Sequence, residues 1–189
     1  MKKKIALTII LFAVSAMIAL AQMGQDLSKY DVLKEPRISS LPATKMLVVE
    51  AKGDPNVASQ RGFGLLFKVF FGIPGARMAP PRARWIFDLK TPKEQWVGYY
   101  ALPVSDSATL PPGSEGAKIE VWQYGDVAEI LHVGSYADET LTIQKLQKFI
   151  ADRGYAIAGP HEEEYLRGPE SGPNTAEYRT IIRYQVKRK

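Results

Sequence analysis

The residues best suited to chemistry lie near the C-terminus, in the stretch HEEEYL over residues 161–166. Three consecutive carboxylates beside a tyrosine form either a solvated acidic surface or a site in which one glutamate points inward. Side chains alternate along a strand, so a strand here places Glu163 and Tyr165 on one face, and Glu162 and Glu164 on the other. Tyrosine is buried more often than glutamate, so we expect Tyr165 to face the interior and Glu163 to accompany it. Three exposed glutamates are the alternative.

A glutamate buried among aromatic rings is costly to keep ionised. There are two outcomes. Either the pKa of the glutamate rises, so that it exchanges protons near neutral pH as in an enzyme, or it stays ionised and a cationic ligand supplies the positive counter-charge. In the second case each nearby ring adds a cation–π attraction of roughly 0.5–2 kcal/mol. The candidate rings beside Glu163 are Trp85, Tyr99, Trp122 and Tyr165, although ordinary core packing explains each of them equally well. The residues alone do not distinguish binding from catalysis.

An N-terminal targeting segment precedes the domain. Lys2 to Lys4 are followed by the uncharged run Ile5 to Ala21, which ends in the small residues that signal peptidase accepts. We therefore predict a signal peptide over residues 1–21, a linker over 22–29 and one domain over 30–189. The protein is then periplasmic or extracellular and free of the membrane after cleavage. An uncleaved N-terminal anchor is the alternative, because the run is at the lower length limit of a spanning helix.

Charge and composition exclude several classes of function. The formal net charge is +5, but three of these charges are lysines of the predicted signal, so no dense basic patch for nucleic acid remains. The chain has no cysteine and two histidines, which excludes disulfides, thiolate chemistry and the usual zinc-ligand spacings. No Ser/His/Asp arrangement, phosphate loop or dinucleotide fingerprint is present. We expect neither a metal nor a cofactor.

Two helices and seven strands are expected to position these residues. Apolar residues at helical spacing predict a helix from Val57 to Phe71, and a second helix follows from about Asp138 to Arg153. In the strand over 95–102, a shift of one residue decides whether Tyr99 or Tyr100 faces inward. The strands are predicted over residues 43–51, 84–88, 95–102, 118–122, 127–133, 162–166 and 180–186.

The order strand–helix–strand–strand occurs twice. Gly53 and Gly134 each follow a strand and precede a helix, 81 residues apart, while Val104 and Val186 end the two final strands, 82 apart. We interpret this as an internal duplication at the level of structure. The expected fold is α+β, with two βαββ units that join their sheets about a pseudo-two-fold axis. A ligand cleft is expected between the units, since crevices between repeats commonly bind ligands.

The second half of the chain carries an ordered set of short motifs. They are VAEILHVGSY (127–136), Gly154-Tyr155, Gly159-Pro160, EEYL (163–166), Gly168-Pro169 and EYRT (177–180). In this order they resemble the GyrI-like small-molecule-binding domain, the effector-binding domain of multidrug-responsive bacterial transcription activators. The resemblance is strongest from Lys118 onward and looser over residues 81–104.

The resemblance implies an aromatic-lined pocket between two SHS2-type repeats, where relatives bind amphipathic or cationic organic molecules. A glutamate at the pocket floor maps onto Glu163, and the motif tyrosine onto Tyr165. Some stand-alone relatives are thought to hydrolyse electrophilic small molecules with this glutamate. Two features depart from the family pattern: Ile181 stands where an acid is common, and Glu162 replaces an apolar residue.

We therefore expect an exported, stand-alone protein that binds lipophilic or cationic organic compounds through Glu163. A hydrolase that uses Glu163 and Tyr165 is the first alternative. The second is a structural protein without a ligand, or a haem or tetrapyrrole binder, because SOUL-type haem binders are similar in fold. His132 or His161 would then be the axial ligand. The oligomeric state is open, with a monomer expected.

Overall fold

The computed structural model describes residues 26–86 and 91–189, which form two α-helices and one eight-stranded sheet. The helices are α1 (Pro55–Phe70) and α2 (Glu139–Asp152). The strands are β1 (Arg37–Leu41), β2 (Thr44–Lys52), β3 (Arg82–Ile86), β4 (Val97–Pro103), β5 (Ala117–Trp122), β6 (Gly125–Val133), β7 (Tyr155–Arg167) and β8 (Arg179–Arg188). The predicted signal, residues 22–25 of the linker and residues 87–88 of one predicted strand lie outside the described residues. No helix in the described ranges has the length and apolar character needed to cross a membrane.

Where the structure describes them, the predicted helices and strands are present with shifted boundaries, and three regions differ from the prediction more substantially. The short strand β1, RISSL, was not predicted because polar residues dominate it. Strand β7 begins at Tyr155 rather than at residue 162, because the Gly159-Pro160 pair is accommodated as a register irregularity against β8 instead of a turn. Residues 28 and 29, assigned to the linker, begin a 3-10 helix, Ser28–Leu33.

The strand order is symmetric about the centre of the sheet. All pairs are antiparallel, in the order β1-β6-β8-β7-β3-β4-β2-β5. Exchanging β2 with β6, β3 with β7, β4 with β8 and β1 with β5 reproduces the same order from the other end. The α+β class and the two main helices are confirmed, and the order is consistent with the predicted duplication about an axis between β7 and β3.

Both helices pack on the same face of the sheet, where they form two cores. Leu66 of α1 belongs to the first core together with Ala83 of β3, and Leu146 of α2 belongs to the second together with Ile182 of β8. Glu163 of β7 pairs with Ala83 on one side and with Ile182 on the other. Because directly paired residues share a face, Glu163 lies on the helix-bearing face, between the two cores.

A glycine allows α1 to lie directly against β4. A Cβ atom on Gly62 would lie 2.1 Å from the ring of Tyr100, which is fully buried, whereas a Cβ atom on Gly64 would meet nothing within 4 Å. We expect Gly62→Ala to destabilise the protein by about 1–3 kcal/mol through overpacking. The matched change Gly64→Ala should stabilise it by about 1 kcal/mol through helix propensity. Urea unfolding of the two variants tests this, and equal effects would contradict the close approach.

Candidate functional site

Glu163 and Tyr165 lie side by side between the two helices. The side chain of Glu163 is 13% exposed. The ring of Tyr165 packs edge-on against Phe63 of α1, with 5.7 Å between centroids, and against Tyr136 before α2, at 5.8 Å. The acid predicted to point inward is therefore enclosed by aromatic side chains from both halves of the chain.

The carboxylate of Glu163 accepts hydrogen bonds from two residues of its own strand. Nε2 of His161 lies 2.7 Å from Oε1, and the hydroxyl of Tyr165 donates to Oε2. The side chain of Trp85 also favours the ionised form. Burial raises the pKa of Glu163, but the hydrogen bond and electrostatic attraction of His161, together with the hydrogen bond of Tyr165, outweigh burial and hold the pKa below its ordinary value. Glu163 is therefore ionised at neutral pH. A buried glutamate without these partners would instead have a raised pKa.

A chain of hydrogen bonds from α2 orients His161. Nε2 of Gln147 donates to the hydroxyl of Tyr184 at 3.2 Å, and this hydroxyl lies 2.9 Å from Nδ1 of His161. Each donor of this chain has an acceptor if the hydroxyl of Tyr184 donates to Nδ1 of His161 and the Nε2–H group of His161 donates to Glu163. In this arrangement an N–H group of His161 points at the carboxylate of Glu163.

A second carboxyl group, that of Glu139, lies within electrostatic range of Glu163. Glu139 occupies the first turn of α2, is 7% exposed, and its Oε1 atom is buried without a hydrogen-bond partner. Burial, together with the negative charge of Glu163, raises the pKa of Glu139 to about 9. At neutral pH the site thus contains one ionised and one protonated carboxyl group.

Aromatic rings surround the two acids. The ring of Tyr100 packs against Phe63 at 4.8 Å and against Trp85 at 5.6 Å between centroids. Tyr100 is fully buried, whereas Tyr136 is 37% exposed and lies on the solvent side of the group. We call Phe63, Trp85, Tyr100, Tyr136 and Tyr165 the aromatic cage.

Two of the predicted pocket aromatics, Tyr99 and Trp122, lie on the opposite face of the sheet. On β4 it is Tyr100 that faces the helices, so Tyr99 faces away from them and packs with Trp122 in a separate core. Trp122 stacks on the guanidinium group of Arg84, whose Cζ lies 3.8 Å from the ring centroid. The sheet separates both rings from Glu163, which corrects their assignment to its pocket.

Glu162 and Glu164 are buried too, so the alternative of three exposed glutamates is wrong. Nη1 of Arg183 lies 2.8 Å from Glu162 and 3.2 Å from Glu164, and Nε of Arg84 lies 2.7 Å from Glu162. Arg183 also pairs with Glu129 at 3.1 Å. The buried ion cluster consists of Arg82, Arg84, Arg183, Glu129, Glu162 and Glu164. Equal numbers of opposite charges make this burial tolerable.

The two histidines do not offer a free nitrogen. His132 is hydrogen-bonded through Nδ1 to Thr142 at 2.9 Å and through Nε2 to the carbonyl of Ser135 at 3.0 Å. Both nitrogens of His161 are bonded as described above. These bonds disfavour axial ligation of a haem iron. In residues 26–86 and 91–189, no group of three or more His, Asp or Glu side chains is placed to hold a metal ion.

A cavity of about 380 Å³ lies away from Glu163, next to the 3-10 helix Ser28–Leu33. Leu131, Leu166, Arg167 and Arg179 are among the residues that line it. Leu166 is on the face of β7 opposite Glu163. We therefore do not regard this cavity as the site, because no residue of the aromatic cage lines it.

Several site residues were not found from the sequence. His161 precedes Glu163 by two positions, so strand alternation was sufficient to place both on one face. Tyr136 lies within a motif that carries the family resemblance. Glu139 gave no local signal, because a glutamate in the first turn of a helix is ordinarily solvent-exposed and stabilised by the helix dipole.

Most of the chain matches a known protein family. The model of the GyrI-like small molecule binding domain matches residues 34–187. The chain belongs to this family. The match of the GyrI-like domain begins before β1 and ends within β8, so it includes the aromatic cage and both carboxyl groups. Among curated protein sequences, no significant match was found.

Solved structures share the GyrI-like fold at low sequence identity. The EcmrR C-terminal domain is 14% identical, with a TM-score of 0.69 over 82% of this chain and 98% of that chain. A hydrolase from Listeria innocua is 19% identical, with a TM-score of 0.64 over 82% and 92%. SAV2435, solved bound to tetraphenylphosphonium, is 14% identical, with a TM-score of 0.54 over 81% and 94%.

Proposed function

We propose that this GyrI-like domain binds lipophilic organic cations between α1 and α2, with Glu163 as the charge-bearing contact. The observation that carries the proposal is an ionised carboxylate that is held by a histidine and a tyrosine, and not by a guanidinium group, inside an aromatic cage. A desolvated negative charge beside ring faces is the combination that attracts organic cations.

The difference between adjacent glutamates of β7 supports this proposal. Glu162 is neutralised by Arg84 and Arg183, at 2.7 and 2.8 Å. Among the ion pairs of the described residues, Glu163 has only His161 as a partner, and a histidine is charged only when it is protonated. Glu163 therefore lacks the permanent guanidinium charges that its neighbour has, and a cationic ligand would supply a permanent positive charge.

The rings of the cage pack against one another, so a ligand must displace at least one of them. Tyr136 is the exposed member and contacts Tyr165 and Tyr178 through ring edges and tilted faces. We propose that a cation enters by moving the ring of Tyr136 and then lies against Tyr165. The tetraphenylphosphonium complex of SAV2435, which shares the fold, supports a bulky, permanently charged probe.

Binding of tetraphenylphosphonium to wild type and to Glu163→Gln tests the proposal. The substitution keeps the shape of the side chain and removes its charge. We therefore expect the affinity for the cation to fall about 10- to 100-fold, which corresponds to the loss of one charge-assisted contact. The affinity for the neutral analogue triphenylphosphine oxide should change little. Quenching of tryptophan fluorescence reports binding, since Trp85 belongs to the cage.

The exposed variant Glu35→Gln is the matched control, since its side chain is 81% exposed and lies outside the cage. It should bind both compounds as the wild type does. Equal affinities of wild type and Glu163→Gln for the cation would contradict the role of Glu163. Failure of the wild type to bind the cation would favour a structural protein without a ligand.

A hydrolase is the second candidate, favoured by the opposite protonation states of Glu163 and Glu139. Two neighbouring carboxyl groups with separated pKa values are a common acid–base arrangement. Glu163 would activate water, Tyr165 would position it, and Glu139 would donate a proton to the leaving group. The lowered pKa makes Glu163 a weak base, so binding is the preferred function. In an enzyme, Glu163→Gln would abolish turnover of an electrophilic substrate while a neutral analogue still bound.

We also propose that the protein acts outside the cytoplasm. This rests on the lysines, the apolar run and the small residues of positions 1–21. The intact mass of the protein from a periplasmic fraction should correspond to a chain that begins at Gln22. A full-length chain in the membrane fraction would favour the uncleaved anchor.

A further inference from the structure

We infer that Glu139 is a second acid of the Glu163 site, and that it releases its proton to solvent when an organic cation enters. The inference rests on the proposed function, since it requires the cation to bind beside Glu163. It adds a second charge to the site and makes cation binding dependent on pH.

Glu139 differs from the other buried glutamates. Glu129, Glu162 and Glu164 each accept a hydrogen bond from the guanidinium group of Arg183. Glu139 has a buried Oε1 atom without a partner and no ion pair among those of the described residues. The residue is only 7% exposed, and burying an ionised carboxyl group is costly. In the ligand-free protein, no hydrogen bond to Oε1 and no ion pair of the described residues offsets this cost.

The groups that interact with Glu139 explain why its proton depends on the ligand. Glu163 and Tyr165 from β7, and Tyr136 from the turn before α2, interact with it electrostatically. Of these three only Glu163 is charged, and its negative charge opposes ionisation of Glu139. A cation beside Glu163 offsets this repulsion and attracts a second carboxylate. The N-terminal turn of α2 favours the ionised form as well.

The proton balance is simple. The O–H bond of Glu139 breaks, the proton passes to a buffer base, and the ligand cation is then paired with two carboxylates. The pKa of Glu139 in the empty site, raised to about 9 by burial and by Glu163, sets the upper end of the pH range in which this exchange is observable.

Calorimetric titration with tetraphenylphosphonium, which has no dissociable proton, tests the inference. Heats measured in phosphate and in Tris at pH 7.5 should differ by the ionisation heat of up to about one proton released per ligand. The Kd of the wild type should decrease with rising pH, by at most about tenfold per pH unit, up to pH 9. For Glu139→Gln, the heat should be independent of the buffer and the Kd independent of pH.

The outcomes separate this inference from the proposed function. Binding by the wild type without proton release, or release that persists in Glu139→Gln, overturns the inference and leaves the proposed function intact. Absence of binding by the wild type and by Glu139→Gln overturns the proposed function and the inference with it. Carboxyl ¹³C NMR titration of the ligand-free wild type is an independent check, and a Glu139 that is already ionised at pH 7 would also overturn the inference.

Discussion

Replacing Arg183 with methionine is expected to lower the free energy of unfolding by about 3–5 kcal/mol. Arg183 lies 2.8 Å from Glu162, 3.2 Å from Glu164 and 3.1 Å from Glu129. Methionine has similar length and no charge, so the three carboxylates stay buried and lose their shared counter-ion. The remaining positive charges of the buried ion cluster, Arg82 and Arg84, do not compensate for the loss. Urea unfolding at pH 7 measures the effect.

An exposed ion pair provides the control for this loss. Lys148 and Asp152 of α2 are 2.6 Å apart but largely solvent-exposed, so Lys148→Met should change the free energy of unfolding by less than about 0.5 kcal/mol. A similarly small effect of Arg183→Met would contradict a structural role of the cluster. Such a result would mean that Glu162 and Glu164 of β7 remain hydrated despite their burial.

Glu139→Gln is expected to stabilise the protein at neutral pH by roughly 2–3 kcal/mol. The pKa of Glu139 is raised from 4.5 to about 9 in the folded protein, by burial and then by Glu163. Between these values the unfolded chain loses the proton that the folded protein retains. Stability therefore falls as pH rises from about 4.5 to about 9, by up to about 1.4 kcal/mol per pH unit. Glutamine avoids this loss because it does not ionise.

Urea unfolding of wild type and Glu139→Gln at several pH values between 4 and 9 tests this effect. The two curves should coincide near pH 4 and separate as pH rises. Glu35→Gln, an exposed substitution, should follow the wild type throughout. Parallel curves for wild type and Glu139→Gln would show that Glu139 ionises normally in the folded protein.

The arrangement of Glu163 and Tyr165 follows from local rules, and this is why the sequence predicts it. Side chains alternate between the two faces of any strand. Once Tyr165 is taken to be buried, this alternation places Glu163 on the same buried face. The duplicated order of helices and strands was visible for the same reason, since each unit carries its own periodicity. These features do not depend on which strand lies next to which.

The features that escaped prediction depend on long-range pairing. Burial of Glu162 follows from Arg183 on β8 and Arg84 on β3, which are close only after the strands have paired. Tyr100, and not Tyr99, faces the helices because of the register of β4. A shift of one residue in this register would exchange the faces on which the two rings lie. Periodicity does not contain this information, so the cage was predicted with two rings from the wrong face.

A crystal structure of the protein with tetraphenylphosphonium tests the central claim most directly. We expect the phosphonium between α1 and α2, beside the carboxylate of Glu163, with its phenyl rings against Phe63 and Tyr165 and with Tyr136 displaced. A ligand in the cavity lined by Leu131 and Leu166, with the cage closed as it is without ligand, would contradict it.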